Sequence, residues 1–189
     1  MTPANTRYSR VSALLHWLIA ALVIGNLAGG LSFGWFLDGA RSSRQVQALV
    51  IISLHQSLGL TVALFGLFWL GWRRIEPPPP LPAHMTTAER RLAQLAHGAF
   101  YLLMLALPLS GWVLASTTRA PILWFRLFEV PHLPIAVGGS GLFDESHELL
   151  GWAMLMLIIL HSLAAIKHQL LDRDNVIGRI LPFIRQIKP

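Results

Sequence analysis

Four long apolar stretches, separated by shorter polar or proline-rich segments, dominate the hydrophobic pattern of this 189-residue chain. Each stretch supplies the roughly 20 helical residues that are needed to cross a hydrocarbon core. The first is too long for a signal peptide and has no small-residue cleavage site, so it is interpreted as a span. The pattern predicts an all-α integral membrane protein, a single domain over residues 1–189, with transmembrane helices at about 11–37, 48–72, 95–115 and 149–170.

The connections between the spans carry signals of their own. Ser42–Gln45 and Thr86–Glu89 have the spacing of capping boxes and predict helix starts nearby. Asp144 is predicted to cap the fourth helix, and Trp124–Phe128 is predicted to form a short helix at the membrane interface. The other segments are predicted to be an extended proline-rich linker at 76–85, a loop at 116–146 and a tail at 171–189.

Composition narrows the class of protein further. The chain is 54% hydrophobic and only 13% charged, with a mean hydropathy of +0.55, which excludes an ordinary soluble domain. Cysteine is absent, which excludes disulfides, thiolate-bound zinc, iron–sulfur clusters and thioether-attached haem. The net charge of +6 does not indicate nucleic-acid binding, because the cations lie between apolar runs and form no basic face.

The distribution of cations predicts how the chain is oriented. Short cytoplasmic loops retain an excess of Lys and Arg. With the N-terminus inside, eleven cations fall on the inner side: Arg7, Arg10, Arg73, Arg74, Arg90, Arg91, Lys167, Arg173, Arg179, Arg185 and Lys188. Four fall on the outer side: Arg41, Arg44, Arg119 and Arg126. Both termini are therefore predicted to be cytoplasmic.

Histidines inside the spans are the candidate functional residues, because an ionisable side chain at membrane depth is costly. His147 and His161 are 14 residues apart in the fourth span, about 21 Å along one face of a helix. Helices 1 and 2 run in opposite directions, so His16 is expected near the inner surface and His55 nearer the outer one. The predicted pairs are His16 with His161 and His55 with His147.

Two imidazoles facing each other across a helix bundle, without cysteine, suit the two axial positions of a haem iron. Two such pairs predict two haem b groups, and with them a path for electrons across the membrane. Met154 is expected to pack between the pairs, and His97 to contact a propionate or a substrate or to face the interface. His168, Lys167 and Arg10 are the candidate contacts for a quinone on the inner side.

The residues alone leave two other hypotheses about function open. The chain could be a haem-b membrane subunit that docks a partner dehydrogenase or hydrogenase. It could instead be a small transporter or scaffold in which the histidines are structural, as single polar residues in spans often are. His84 and His132 lie in loops and carry no assigned role at this stage.

The motifs of the chain resemble those of the prokaryotic cytochrome b561 family over nearly its whole length. The matching residues are Tyr8-Ser9-Arg10, Leu15-His16-Trp17, His55, His97 with Tyr101-Leu102-Leu103 and Ala106-Leu107-Pro108, His147-Glu148, Gly151-Trp152, His161, His168, Asp174-Asn175 and Pro182. The resemblance implies a four-helix membrane cytochrome with two b haems, whose ligands by motif position are His16, His55, His147 and His161.

Within that family, the resemblance is nearest to members that take an electron from superoxide on the periplasmic side and pass it to ubiquinone. It therefore implies a membrane oxidoreductase with superoxide as donor and ubiquinone as acceptor. The outer cations alone do not predict an attractive field for an anion, because the acidic residues on that side outnumber them: Asp38, Glu129, Asp144, Glu145 and Glu148.

Overall fold

The computed structural model describes residues 7–37, 42–118, 120–136, 138 and 141–181. Its elements, in chain order, are α1 (Arg10–Leu37), α2 (Ser42–Ile75), α3 (Thr87–Ser116), β1 (Ile122–Trp124), β2 (Phe128–Val130), α4 (Gly141–Lys167), a π-helical turn (His168–Asp172) and α5 (Val176–Ile180). Some residues used in the sequence analysis lie outside the described ones: Asp38, Arg41, Arg119, Pro182, Arg185 and Lys188.

Four of these helices, α1 to α4, are long and apolar enough to cross a membrane. Many of their large apolar side chains are exposed, such as Leu64, Leu102 and Leu149. Exposed apolar side chains on helices of this length meet lipid, because hydrocarbon takes the place of the protein core around them. The fold is therefore that of a multi-pass membrane protein, and its outer surface contacts lipid.

The helices are longer than the apolar stretches alone suggest. α2 begins at Ser42 and α4 at Gly141, ahead of the apolar starts near 48 and 149. α2 has 34 residues and is about 51 Å long, which exceeds the roughly 30 Å of a hydrocarbon core. The first turns of both helices are polar. They form helical hydrogen bonds but do not belong to the apolar stretches from which the spans were predicted.

The two ends of the bundle differ in structure. One, here called the terminal end, brings together the start of α1, the end of α2, the start of α3 and the end of α4. There the N–H of Tyr8 donates to the carbonyl of Arg179 at 3.1 Å, and the indole of Trp17 donates to the carbonyl of Ile180 at 3.1 Å. The opposite end, here called the hairpin end, carries β1 and β2. Residues 173–181 of the predicted tail fold back against α1 instead of extending away.

Consecutive helices pack closely along one another, α1 on α2, α2 on α3 and α3 on α4. Among the described residues, α4 makes no comparable backbone contact with α1 or α2. Long side chains fill the space between them, and a buried cluster forms the centre: Ile19, Val23, Val62, Trp69, Leu103, Met104 and Met154. Met154, at 1% exposed, is the most deeply buried member of this cluster.

The predicted interfacial helix at Trp124–Phe128 is wrong, because this segment is a β-hairpin. β1 and β2 pair antiparallel, with Ile122 opposite Val130, and the turn places Phe125 and Arg126 in the left-handed region at φ 46° and 60°. Strand pairing and the contacts of the hairpin with α2 satisfy the backbone of this segment in place of helical hydrogen bonds.

Ser57 of α2 holds this hairpin in place. The Ser57 hydroxyl donates to the carbonyl of Leu123 at 3.1 Å and accepts from the N–H of Phe125 at 2.9 Å. The indole of Trp124 donates to the Thr61 hydroxyl at 3.2 Å, one turn further along α2. Only tertiary contact with α2 provides these partners, so the local sequence did not reveal the strands.

The three predictions of helix-capping residues had different outcomes. The capping box at Thr86 is confirmed: the Glu89 N–H donates to the Thr86 hydroxyl, and the Thr86 N–H donates to the Glu89 carboxylate. Asp144 is not the N-cap of α4, because the helix begins at Gly141 and Asp144 lies inside its first turn. α2 begins at Ser42, and the cap side chains predicted at 42–45 lie outside the described side chains.

Candidate functional site

At the terminal end, the rings of His16 and His161 face each other with centroids 6.4 Å apart. α1 and α4 supply one ring each, across the space where these helices do not pack closely. His161 also contacts the ring of His97 at 5.9 Å and that of Phe100 at 5.2 Å. The structure thus brings together the predicted pair and places His97 of α3 beside it.

At the hairpin end, the rings of His55 and His147 face each other with centroids 5.9 Å apart. Nδ1 of His55 lies 3.0 Å from the carbonyl of Asn26, and Nδ1 of His147 lies 2.9 Å from the Ser110 hydroxyl. With Nδ1 engaged in this way, Nε2 is the ring nitrogen left to bind a metal, which is the usual arrangement of metal-binding histidines.

Glycines make room for both rings of this pair. A Cβ atom at Gly30 would lie 2.8 Å from Cε1 of His55, and one at Gly111 would lie 2.9 Å from Cε1 of His147. Neither separation is tolerable for a non-bonded carbon pair, so any larger residue would displace the ring. α1 and α3 therefore approach the histidines closely because these two positions lack side chains.

The separations suit one metal atom between the rings of each pair. A metal about 2.0 Å from one nitrogen of each ring puts the two ring centres roughly 6 Å apart. Both observed values, 6.4 Å and 5.9 Å, are close to this distance. Nitrogen ligands alone, in an apolar bundle without cysteine, match the axial ligation of b-type haem.

Arg73, near the end of α2, is an unusual cation beside the terminal-end pair. Its guanidinium lies 4.1 Å from the centroid of the buried Trp69 ring and 5.0 Å from that of Tyr8. Its Nε and Nη1 atoms are buried and have no hydrogen-bond partner among the described residues. Its charge interacts electrostatically with His16. A buried guanidinium with unused donors is suited to bind a carboxylate that the protein itself does not supply.

Tyr8 and Glu76 flank Arg73 outside the spans. Burial raises the pKa of Tyr8 above its ordinary value, so its phenol stays protonated. The Glu76 carboxylate accepts hydrogen bonds from the hydroxyls of Ser9 at 2.6 Å and Ser12 at 2.7 Å, and from the Trp72 indole at 3.0 Å. The hydroxyl hydrogen bonds, chiefly that of Ser9, lower the pKa of Glu76.

A polar cluster closes the terminal end beyond His161. The Lys167 ammonium lies 2.6 Å from a carboxylate oxygen of Glu89 and 2.8 Å from one of Asp172. Nδ1 of His168 lies 2.8 Å from the same Asp172 oxygen. Lys167 and His168, two of the predicted quinone contacts, therefore both contact Asp172. Arg10 is exposed, and among the described residues it has no hydrogen bond or ion pair with them.

The polar cluster extends to the surface through His84, a residue to which the sequence analysis assigned no role. One oxygen of Asp174 lies 2.9 Å from Nδ1 of His168 and 3.2 Å from Nε2 of His84, so it serves both rings. Arg73 and His84 carried no usable sequence signal, because one is an ordinary flanking cation and the other a loop histidine. The match to Asp174-Asn175 was the only hint at this region.

Four helices able to cross a membrane, holding facing histidine pairs without cysteine, define a membrane cytochrome of the b type. The family model described as prokaryotic cytochrome b561 matches residues 7–183. The chain belongs to the prokaryotic cytochrome b561 family, whose fold is a four-helix haem-binding bundle. It is accordingly a membrane cytochrome that binds b-type haem and transfers electrons.

Several relatives match almost end to end. "Cytochrome b561 homolog 2" of Escherichia coli K12 is 32% identical, over 96% of this chain and 95% of the relative. "Cytochrome b561 homolog 1" of the same organism is 29% identical, over 93% and 97%. A probable superoxide oxidase of Yersinia pestis is 26% identical, over 94% and 97%.

Proposed function

We propose that the chain binds two b-type haems and carries electrons between a donor at the hairpin end and a quinone at the terminal end. His16 and His161 hold one haem, and His55 and His147 hold the other. The terminal end faces the cytoplasm of a bacterial inner membrane, in agreement with its excess of cations. The acceptor is ubiquinone.

One observation carries this proposal: α4 presents a histidine toward a partner ring at each end of the bundle, and the pairs have almost the same separation, 6.4 Å and 5.9 Å. A structural histidine is satisfied by one hydrogen-bond partner, whereas a shared metal requires two imidazoles that face each other. Two such pairs at different depths on one helix favour two metal centres in series. They do not favour a lone polar contact between helices.

Bound haem supplies reversible one-electron chemistry, and the residues of the chain set its position and surroundings. The carbonyl of Asn26 and the hydroxyl of Ser110 fix the ring orientation at the hairpin end. Met154, which is 1% exposed, would pack between the two haems. Arg73 would hold a propionate of the terminal-end haem with its unused Nε and Nη1 donors.

His168 and Lys167 support a quinone at the terminal end. His168 lies seven residues after His161, about 10.5 Å further along α4 on nearly the same face. A quinone carbonyl beside His168 would thus be close to the terminal-end haem and to a group that can donate a proton. Arg10 is the third candidate contact, from the start of α1.

For the donor at the hairpin end, we propose superoxide. The support is the relative from Yersinia pestis, which is named a probable superoxide oxidase. Arg126, at the tip of the hairpin, is an exposed cation that would attract an anion locally. Reaction with superoxide generated enzymatically, followed as reduction of the haem band, tests this donor. No reduction above that of a superoxide dismutase control would exclude it.

The decisive experiment is a reduced-minus-oxidised optical spectrum of the purified protein, with the haem-to-chain ratio from pyridine haemochrome. We expect two haems per chain, and one after His16→Ala, His161→Ala, His55→Ala or His147→Ala. His132→Ala, a loop variant, is the matched control and keeps both. One haem in the wild-type protein, or losses that do not follow these pairs, would contradict the proposal.

The alternative of a subunit that docks a dehydrogenase or hydrogenase predicts a different behaviour. Such a subunit would purify from native membranes with its partner and would lack independent reaction with quinone. We expect the chain to purify alone and to be reoxidised by a ubiquinone analogue after reduction.

A further inference from the structure

Three side chains at the terminal end form a continuous hydrogen-bonded line from solvent to the interior. The His84 side chain is 54% exposed, that of Asp174 is 3% exposed and that of His168 is 11% exposed. A single oxygen of Asp174 lies 3.2 Å from Nε2 of His84 and 2.9 Å from Nδ1 of His168. A surface cleft of about 440 Å³ opens onto His84 and Asp174, so bulk water reaches the outer member of the line.

The local backbone conformation brings Asp174 next to His168. After Lys167 the chain forms a π-helical turn, His168–Asp172, and then reverses through Arg173 in the left-handed region at φ 56°. The N–H of Asp174 donates to the carbonyl of His168 at 3.2 Å, which turns the Asp174 side chain back toward that histidine. π-Turns inside helices are uncommon and occur frequently at functional sites.

We propose that His84, Asp174 and His168 form a proton relay from the aqueous phase to the quinone at the terminal end. The inference rests on the proposed function, in which a quinone is reduced beside His168. Reduction of one quinone to quinol takes two electrons and two protons. The electrons arrive one at a time from the donor, and each proton must come from water, because the spans around the site are apolar.

Each proton moves through the relay in four transfers, which start with Asp174 protonated and with the His168 proton on Nε2. His168 donates that proton to a quinone oxygen while its Nδ1 takes the proton of Asp174. The Asp174 carboxylate then takes the Nε2 proton of His84, and Nδ1 of His84 takes a proton from water in the cleft. Each imidazole is left with its proton on Nδ1, so tautomer exchange must return it to Nε2 before the next passage. Imidazole serves both ends of such a chain because it accepts on one nitrogen and releases from the other. Two passages supply the two protons of one quinol.

Neighbouring charges explain why Asp174 carries the proton and Asp172 does not. The Asp172 oxygen nearest His168 also binds the Lys167 ammonium, which Glu89 holds from α3. An oxygen already paired with a lysine cation is a poor carrier, since protonating it would cost that ion pair. Asp174 shares its oxygen with two imidazoles instead. Arg173 and Arg179 line the same cleft and complete the charged groups around the line.

The test follows reoxidation of the chemically reduced, haem-loaded protein by ubiquinone-1 in a stopped-flow instrument. We expect Asp174→Asn to lower the limiting rate about a hundredfold, at the lower end of the range for single proton-transfer groups. We expect His84→Ala to lower it only about tenfold, because water in the cleft partly replaces an exposed imidazole. The half-saturating quinone concentration stays within about twofold, because neither residue contacts the quinone. Added imidazole restores the His84→Ala rate. His132→Ala, at the opposite end, is the control.

The haem spectrum checks that each variant is folded, and the exposed His84 has little packing to lose. If wild type is reoxidised while His84→Ala and Asp174→Asn keep its limiting rate and its solvent deuterium isotope effect, the relay is wrong and the proposed function stands. If both variants raise only the half-saturating concentration, their role is binding and the relay is equally wrong. If ubiquinone-1 does not reoxidise wild type, the quinone reaction fails, and the relay with it.

Discussion

Glycine positions set how closely the backbone approaches the histidines at the hairpin end. Gly30 and Gly111 lie against the rings of His55 and His147, at distances where a Cβ would be 2.8 Å and 2.9 Å from ring carbon. Rotation cannot relieve such contacts without breaking the Nδ1 hydrogen bonds of the rings. The two glycines thus act on the site without contributing any functional group.

Gly111→Ala is expected to displace the His147 ring and to lower the haem content from two toward one per chain, with the loss confined to the hairpin end. Pyridine haemochrome and the resolved redox titration of the remaining haem measure this. Gly98→Ala, in the same helix, has nothing within 4 Å of the added carbon and serves as the control. Equal losses in both variants would mean that helix α3 is generally intolerant of alanine.

The guanidinium of Arg73 is the residue with the most direct electrostatic effect at the terminal end. Arg73→Gln removes a buried positive charge, which favours the oxidised haem and is expected to lower its midpoint potential by roughly 50 mV. Potentiometric titration of the two haems measures this. The exposed neighbour Arg74→Gln is the control and should shift neither potential appreciably. An unchanged potential in Arg73→Gln would place the propionate elsewhere.

At the scale of elements, the terminal end is held by contacts between segments that are distant in the chain. Glu76, just beyond α2, accepts from Ser9 and Ser12 at the start of α1. Ser12 is 1% exposed, so these hydrogen bonds are shielded from water at one side. This carboxylate thus adds to the hydrogen bonds of Tyr8 and Trp17 with residues 179 and 180 in holding the N-terminal segment in place.

Glu76→Gln is therefore expected to lower the melting temperature by a few degrees at pH 7. The pKa of Glu76 is lowered in the folded protein, so its stabilising contribution is present above the ordinary glutamate pKa and is lost as the pH falls through the folded value. The difference between wild type and variant should thus shrink below about pH 4. Thermal unfolding followed by the haem band at several pH values measures this, and a difference that grows in acid would contradict it.

At the scale of the whole molecule, the two ends of the bundle have different chemistry. The terminal end collects ion pairs, the His84–Asp174–His168 line and most of the described cations. The hairpin end exposes apolar residues, among them Leu127, which is 73% exposed. This asymmetry supports a protein that exchanges electrons at one surface and both electrons and protons at the other.

The orientation is testable without background labelling, because the chain contains no cysteine. Leu127→Cys at the hairpin end should react with a membrane-impermeant maleimide in intact spheroplasts. Ala83→Cys at the terminal end should react only after the membrane is opened. The reverse pattern would place the terminal end in the periplasm and would contradict the proposed direction of quinone reduction.

The membrane class, the number of membrane-spanning helices and the position of each of the four histidines along its helix followed from the sequence, because they depend on apolar length and on 3.6-residue periodicity. The sequence also indicated the capping box at Thr86, since capping is local. A span is set by about 20 consecutive residues and a capping box by four, so each pattern lies within one segment of the chain.

The remaining features required the folded structure. The hairpin exists because Ser57 and Thr61 of α2 supply partners that no local pattern shows. Arg73 is distinguished by its burial, and the line from His84 to His168 depends on a π-turn that brings residues 84 and 174 within 3.2 Å. Hydrogen bonds between segments ninety residues apart are fixed by how the helices pack, and packing is a property of the folded molecule.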